Sequence, residues 1–179
     1  MRRTLLVLAL AALAACSREQ EPVRIGPIYS PNAEPLSGGP LGNPSCEDAL
    51  GKWFDRLDAT HSGAIDESQF LADASRQFAA MDLDKSGVLT PSELAQYRAP
   101  YIDPNEGRHD YDAGGYYGQG RGPPPQEDVE DPVMEADVTL QNRVTRDEFM
   151  AYEQRNFAAL DADHDGRLER DEVLATCKQ

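Results

Sequence analysis

Apolar residues recur at helical spacing in three stretches of the chain. Leu50, Trp53, Phe54 and Leu57 fall on one helical face, and Ser45 with Asp48 three residues later is a capping signature that predicts where that helix starts. FLADASRQFAAM (70–81) and FMAYEQRNFAAL (149–160) are matching twelve-residue segments, each opening on phenylalanine and each carrying an apolar face. Thr90, Pro91 and Glu93 supply an N-cap, a proline at the first helical position and a capping acid, so a further helix is expected to begin there and to end before Pro100. Elsewhere the pattern breaks down. Residues 17–44 hold six prolines and little periodicity, which reads as a flexible, extended tether; 100–131 is rich in Gly, Pro, Tyr and acid, which reads as a disordered linker. The apolar run Leu5–Ala15 follows Arg2 and Arg3 and is too short to cross a bilayer, so it has the shape of a secretory signal peptide.

Acidic segments lie between the helical ones, and they repeat. Asp161–Glu172 reads DADHDGRLERDE, with oxygen-bearing residues at positions 1, 3, 5, 9 and 12 and a glycine at 6. A calcium ion takes six to eight oxygens at about 2.3–2.6 Å, and this spacing offers Asp161, Asp163, Asp165, the Arg167 carbonyl, Glu169 and a bidentate Glu172 around the turn made by Gly166. Asp82–Glu93 offers Asp82, Asp84, Ser86, the Val88 carbonyl, Thr90 and Glu93 around Gly87. Two weaker versions flank these. Asp58–Gln69 keeps Asp58, Gly63 and Asp66 and the Ala64 carbonyl, but has Thr60 and Ser62 at positions 3 and 5 and Gln69 at 12, losing the bidentate carboxylate. Asp137–Glu148 keeps Asp137, the Arg143 carbonyl, Thr145 and Glu148, yet carries Thr139, the long Gln141, and Asn142 in place of glycine.

On these residues the chain resembles the EF-hand calcium-binding family over 45–99 and 132–179, with two good loops (2 and 4) and two degraded ones (1 and 3). The loop starts lie 24 residues apart in each half, at 58 and 82 and at 137 and 161, so one helix must leave one loop and enter the next. Such a helix is about 18 Å long and keeps its two loops at opposite ends. Pairing must therefore cross between halves, an arrangement that resembles the compact bacterial lanmodulin-type proteins, in which loop 1 would face loop 4 and loop 2 would face loop 3. The proline at loop position 2 of that type is missing; Ala59, Leu83, Val138 and Ala162 stand there. The implied fold is all-α: four EF-hand motifs in one domain, with helices shared between loops 1 and 2 and between loops 3 and 4. With loop 1 against loop 4, the outer ends of their helices would meet, which makes a Cys46–Cys177 disulfide reasonable; two buried free thiols are the alternative.

Charge and compartment narrow the function. The formal net charge is −15, and removal of Arg2 and Arg3 with the leader leaves 15 basic against 32 acidic residues, or −17. Such a chain has no basic face for nucleic acid. Leu13-Ala14-Ala15-Cys16 resembles a bacterial lipoprotein box, which would divide the chain into a signal peptide (1–15) and a tether (16–44) anchored through lipid on Cys16; an unmodified cysteine after a plain signal peptide is the alternative. Ser17, rather than aspartate, after that cysteine points by family resemblance to the outer membrane, facing the periplasm. His61 and His164 sit at loop position 4, which offers no ligand, and no nucleophile or zinc spacing is present, so an enzyme is not expected. The expected function is a calcium-binding envelope lipoprotein whose ion stabilises the fold. Lanthanide binding and a calcium-stabilised interaction module with an unknown protein partner are the alternatives.

Overall fold

The computed structural model describes residues 26–102 and 131–178; the expected signal peptide, Cys16 and most of the 100–131 segment lie outside them. Helix α1 (Cys46–Leu57) starts at Ser45, whose Oγ accepts from the Asp48 amide at 3.1 Å. Helix α2 (Glu67–Met81) and helix α4 (Arg146–Leu160) are the shared helices, both 15 residues long and both opened by a reciprocal cap, Asp66 with Gln69 and Thr145 with Glu148. Each therefore leaves one acidic loop and runs into the next. Helix α3 (Pro91–Arg98) opens on the Thr90–Glu93 capping box, and α5 (Arg170–Ala175) closes the chain before a short 3-10 turn, Thr176–Lys178.

The chain is mostly helical, but an all-α description omits two short ribbons. Strand β1 (Ala64–Asp66) pairs antiparallel with β4 (Arg167–Glu169), setting Ile65 opposite Leu168; β2 (Val88–Leu89) pairs with β3 (Val144–Thr145), setting Leu89 opposite Val144. Strands of two or three residues carry no readable alternation, so the apolar pattern of the chain predicts helices alone. Each ribbon takes one strand from each half, so loop 1 lies against loop 4 and loop 2 against loop 3.

Helices α2 and α4 cross the middle antiparallel. Phe70 meets Phe157 at a ring distance of 5.5 Å, and Phe78 meets Phe149 at 5.5 Å. The interior accordingly divides into two clusters. One gathers Trp53, Phe54, Ile65, Phe70, Phe157, Leu168 and Val173 behind the β1–β4 ribbon; the other gathers Phe78, Met81, Leu89, Leu94, Val144 and Phe149 behind β2–β3. Each phenylalanine buried this way stabilises the fold by about 1.5–3 kcal/mol relative to leaving it exposed.

Two features depart from the sequence reading. The part of the 16–44 tether that is described does not hang free: residues 28–37 fold back as a strap closed by an isolated bridge between Tyr29 and Pro35. Its Ile28 amide donates to Ser37 Oγ at 2.7 Å, and Asn32 and Ala33 at its tip are buried. Prolines do not need helical or strand periodicity to pack, and Asn32 brings hydrogen bonds that composition does not reveal. The second departure is the entry to loop 3. Where a helix would lead in, the chain makes a single 3-10 turn, Met134–Ala136, after Pro132. Asp131 caps that turn by accepting from the Val133 and Met134 amides and holds Arg98, at the end of α3, in a two-bond ion pair at 2.5 and 3.0 Å.

Candidate metal centres

All four loops share one backbone device. The first aspartate turns its carboxylate inward, and its oxygens accept amide hydrogens from positions 5 and 6: Asp58 from Ser62 and Gly63, Asp82 from Ser86 and Gly87, Asp137 from Gln141 and Asn142, and Asp161 from Asp165 and Gly166, over 2.6–3.1 Å. Those amides can converge because the chain goes left-handed twice. Position 6 has φ of 87°, 77° and 84° at Gly63, Gly87 and Gly166, and 56° at Asn142. Position 4 is also left-handed in every loop, at His61, Lys85, Leu140 and His164. The second positive φ has no glycine to announce it, which is why the sequence does not reveal it.

The loops then diverge at the ligand positions. Carboxylate oxygens of Asp82, Asp84 and Glu93 lie within 4.8 Å of one another, as do those of Asp161, Asp163 and Glu172 and those of Asp163, Asp165 and Glu169. Among the described residues these are the groups of three, and loops 1 and 3 contribute none. Anionic oxygens this close repel one another strongly unless a cation stands between them. An all-oxygen donor set of this kind fits a hard divalent cation such as calcium. Ser86 Oγ lies 3.1 Å from the Val88 carbonyl oxygen, so the neutral ligand positions of loop 2 face the same interior. In loop 4 the Glu172 carboxylate accepts from the Ala162 amide at 2.7 Å and the Glu169 amide at 2.9 Å. A hydrogen bond to Glu172 raises the Glu169 carboxyl above its ordinary range, a sign of crowded negative charge. Ser86 hydrogen bonds lower Asp84. Thr90, a candidate ligand, has its hydroxyl on Glu93 at 2.8 Å and so acts as the helix cap.

Loops 1 and 3 are closed by the protein's own donors. Gln69 Nε2 donates to the Leu57 carbonyl at 3.2 Å, spanning the base of loop 1, while its Oε1 accepts from the Asp66 amide. Ser62 and Thr60 hydroxyls both point at Asp58 Oδ1, and Arg167 reaches from loop 4 to Ser62 Oγ at 3.4 Å. Burial works to raise the Asp58 carboxyl, but the Gly63 and Ser62 amides hold it below its ordinary value. In loop 3, Thr139 Oγ1 sits within hydrogen-bond distance of both Asp137 and Glu148, and the Arg143 guanidinium donates to the Gln141 side-chain oxygen. The Thr145 amide and hydroxyl lower Glu148. Asp66 and Thr145 serve as helix caps.

Cys46 and Cys177 are joined by a disulfide with Cα atoms 5.7 Å apart, tying the outer ends of α1 and the C-terminal turn. Among the described residues no helix is long and apolar enough to cross a membrane. No curated protein and no solved structure matches the chain. A family model described as EF hand matches residues 76–96 and 155–175, each spanning one of the two complete loops, so the chain is similar to EF-hand proteins over these two segments.

Proposed function

We propose that this chain is a calcium-binding lipoprotein of the bacterial envelope, with ions held at 82–93 and 161–172 and with loops 1 and 3 acting as metal-free EF hands that pair with them. The observation that carries the reading is the convergence of three carboxylates in each complete loop, against protein donors in the same positions of the incomplete ones. Two hands complete and two closed by their own side chains make four in one domain, with α2 and α4 as the shared helices. The bound ion would neutralise clustered charge and hold each loop pair, a stabilising role rather than catalysis. The leader and Leu13-Ala14-Ala15-Cys16 support an anchor lipidated at Cys16 on the outer membrane.

Calorimetric titration of residues 17–179 with calcium tests the sites: about two ions bind, and Glu93→Gln or Glu172→Gln each removes one. Four equivalent ions, or no loss in either variant, overturns the assignment. The anchor is tested separately, by palmitate labelling and membrane partition that Cys16→Ser abolishes. A second reading, preference for trivalent lanthanide ions, is favoured by one observation: Asp163 belongs to two overlapping carboxylate groups in loop 4. Competition of lanthanum against calcium in the same titration separates the two.

A further inference from the structure

The centre of the molecule contains a carboxyl group that neither the metal sites nor the caps use. Glu153, on the inward face of α4, is wholly buried, and among the described residues no ion pair reaches it. Its Oε2 accepts from Asn156 Nδ2 at 3.2 Å, and its Oε1 has no hydrogen-bond partner. A carboxylate in that position would be a buried charge with one oxygen unpaired, a state strongly disfavoured in a protein interior.

The strap lies one hydrogen bond away. Asn156 Nδ2 also donates to the Pro31 carbonyl at 2.8 Å, so one amide group joins Glu153 to residues 28–37. Asn32 beside it donates to the Phe70 carbonyl and to Asp73 Oδ2, while its own Oδ1 is the second buried oxygen here without a donor. The Ala33 carbonyl accepts from Gln77 of α2. The charged groups around this junction are Asp73 on α2, which holds Arg76 and stands 3.7 Å from Arg56, and Glu34 of the strap, bonded to both arginines; on α4 the neighbours are Tyr152 and Arg155. Arg56 and Arg76 serve Asp73 and Glu34, and Arg155 lies over the Tyr152 ring. Two orphan acceptors at one junction call for a proton, and Glu153 is the group that can carry it.

We propose that Glu153 is an acid latch for the strap: carrying its proton it lets residues 28–37 dock across α2 and α4, and on losing it the buried charge faces Asp73 and releases them. Burial is the main force on this carboxyl, with Asp73 adding to it and the Asn156 amide opposing, and together they push it up to about 8. The docked state therefore holds one more proton than the released state between the ordinary glutamate range, near 4.5, and about 8. Docking is strongest below that window and weakens as pH rises through it, roughly tenfold per pH unit for one proton. Below about 4.5 and above about 8 both states carry the same charge at this site, and the dependence flattens.

The test uses the full chain with saturating calcium. Hydrogen exchange at the Ala33 and Leu36 amides, which donate to Ser30 and Ile28 across the strap, is followed from pH 5 to 9 as protection factors. Protection should fall steeply toward pH 8 in the wild type and stay flat in Glu153→Gln, which is neutral throughout. A flat wild-type profile, or an equally steep one in the variant, overturns the proposal. If the variant does not fold, carbon NMR titration of the Glu153 carboxyl in the wild type decides: a midpoint near 8 supports the latch, and one in the ordinary glutamate range rejects it.

Discussion

At position 12 of loop 1 a single atom separates glutamine from the carboxylate ligand of the complete loops. Gln69 Nε2 donates to the Leu57 carbonyl, whereas a carboxylate at the same position can only accept. Gln69→Glu restores the bidentate ligand beside Asp58, Thr60, Ser62 and the Ala64 carbonyl, and removes the bond that closes the loop without an ion. The expected result is a third bound calcium in a titration extended to about 10⁻³ M; an unchanged stoichiometry would mean that the hydroxyls at positions 3 and 5 are the true obstacle. The residue scale is also where the sequence was most legible, since side-chain oxygens at fixed spacing name their own chemistry. It was silent where geometry rests on backbone: Leu140 adopts φ of 54° with its side chain almost fully exposed, and no property of leucine predicts that.

Among elements, the 24-residue repeat is enough to require shared helices, because twelve residues between loops cannot make two helices and a turn. That length requires pairing to cross between halves; that loop 1 faces loop 4, bringing Cys46 near Cys177, is what the resemblance implied and what the ribbons show. What the repeat could not show is the strap, because its contacts come from partners 38 and 41 residues away in sequence, as with Asn32 to Phe70 and to Asp73. Nor could it show the missing helix before loop 3, where Pro132 and the capping carboxylate of Asp131 substitute a single turn. The disulfide spans 131 residues, so on the chain-entropy view its loss removes roughly 4–5 kcal/mol of stability. Cys46→Ser with Cys177→Ser should lower the urea midpoint accordingly, and calcium should raise the midpoint of both proteins, because a bound ion stabilises the folded state by mass action. An unchanged midpoint would show that the paired loops alone hold α1 and α5 together.

For the whole molecule, the acidic charge and the two metal centres act together: −15 on 179 residues disfavours compactness until cations enter. The two ribbons carry a further consequence. Each takes one strand from residues 64–89 and one from 144–169, so neither half of the chain owns a complete ribbon. Severing the backbone anywhere between residues 103 and 130, with an inserted protease site, therefore yields two pieces that need each other as enzyme fragments do in complementation, with the cystine as their sole covalent link. The cut protein should run as one species without reductant and as two with it. In calcium, the reduced pieces should still elute together from a sizing column, and in chelator they should part; pieces that separate in calcium would show that the halves fold independently and that the crossed ribbons do not bind them.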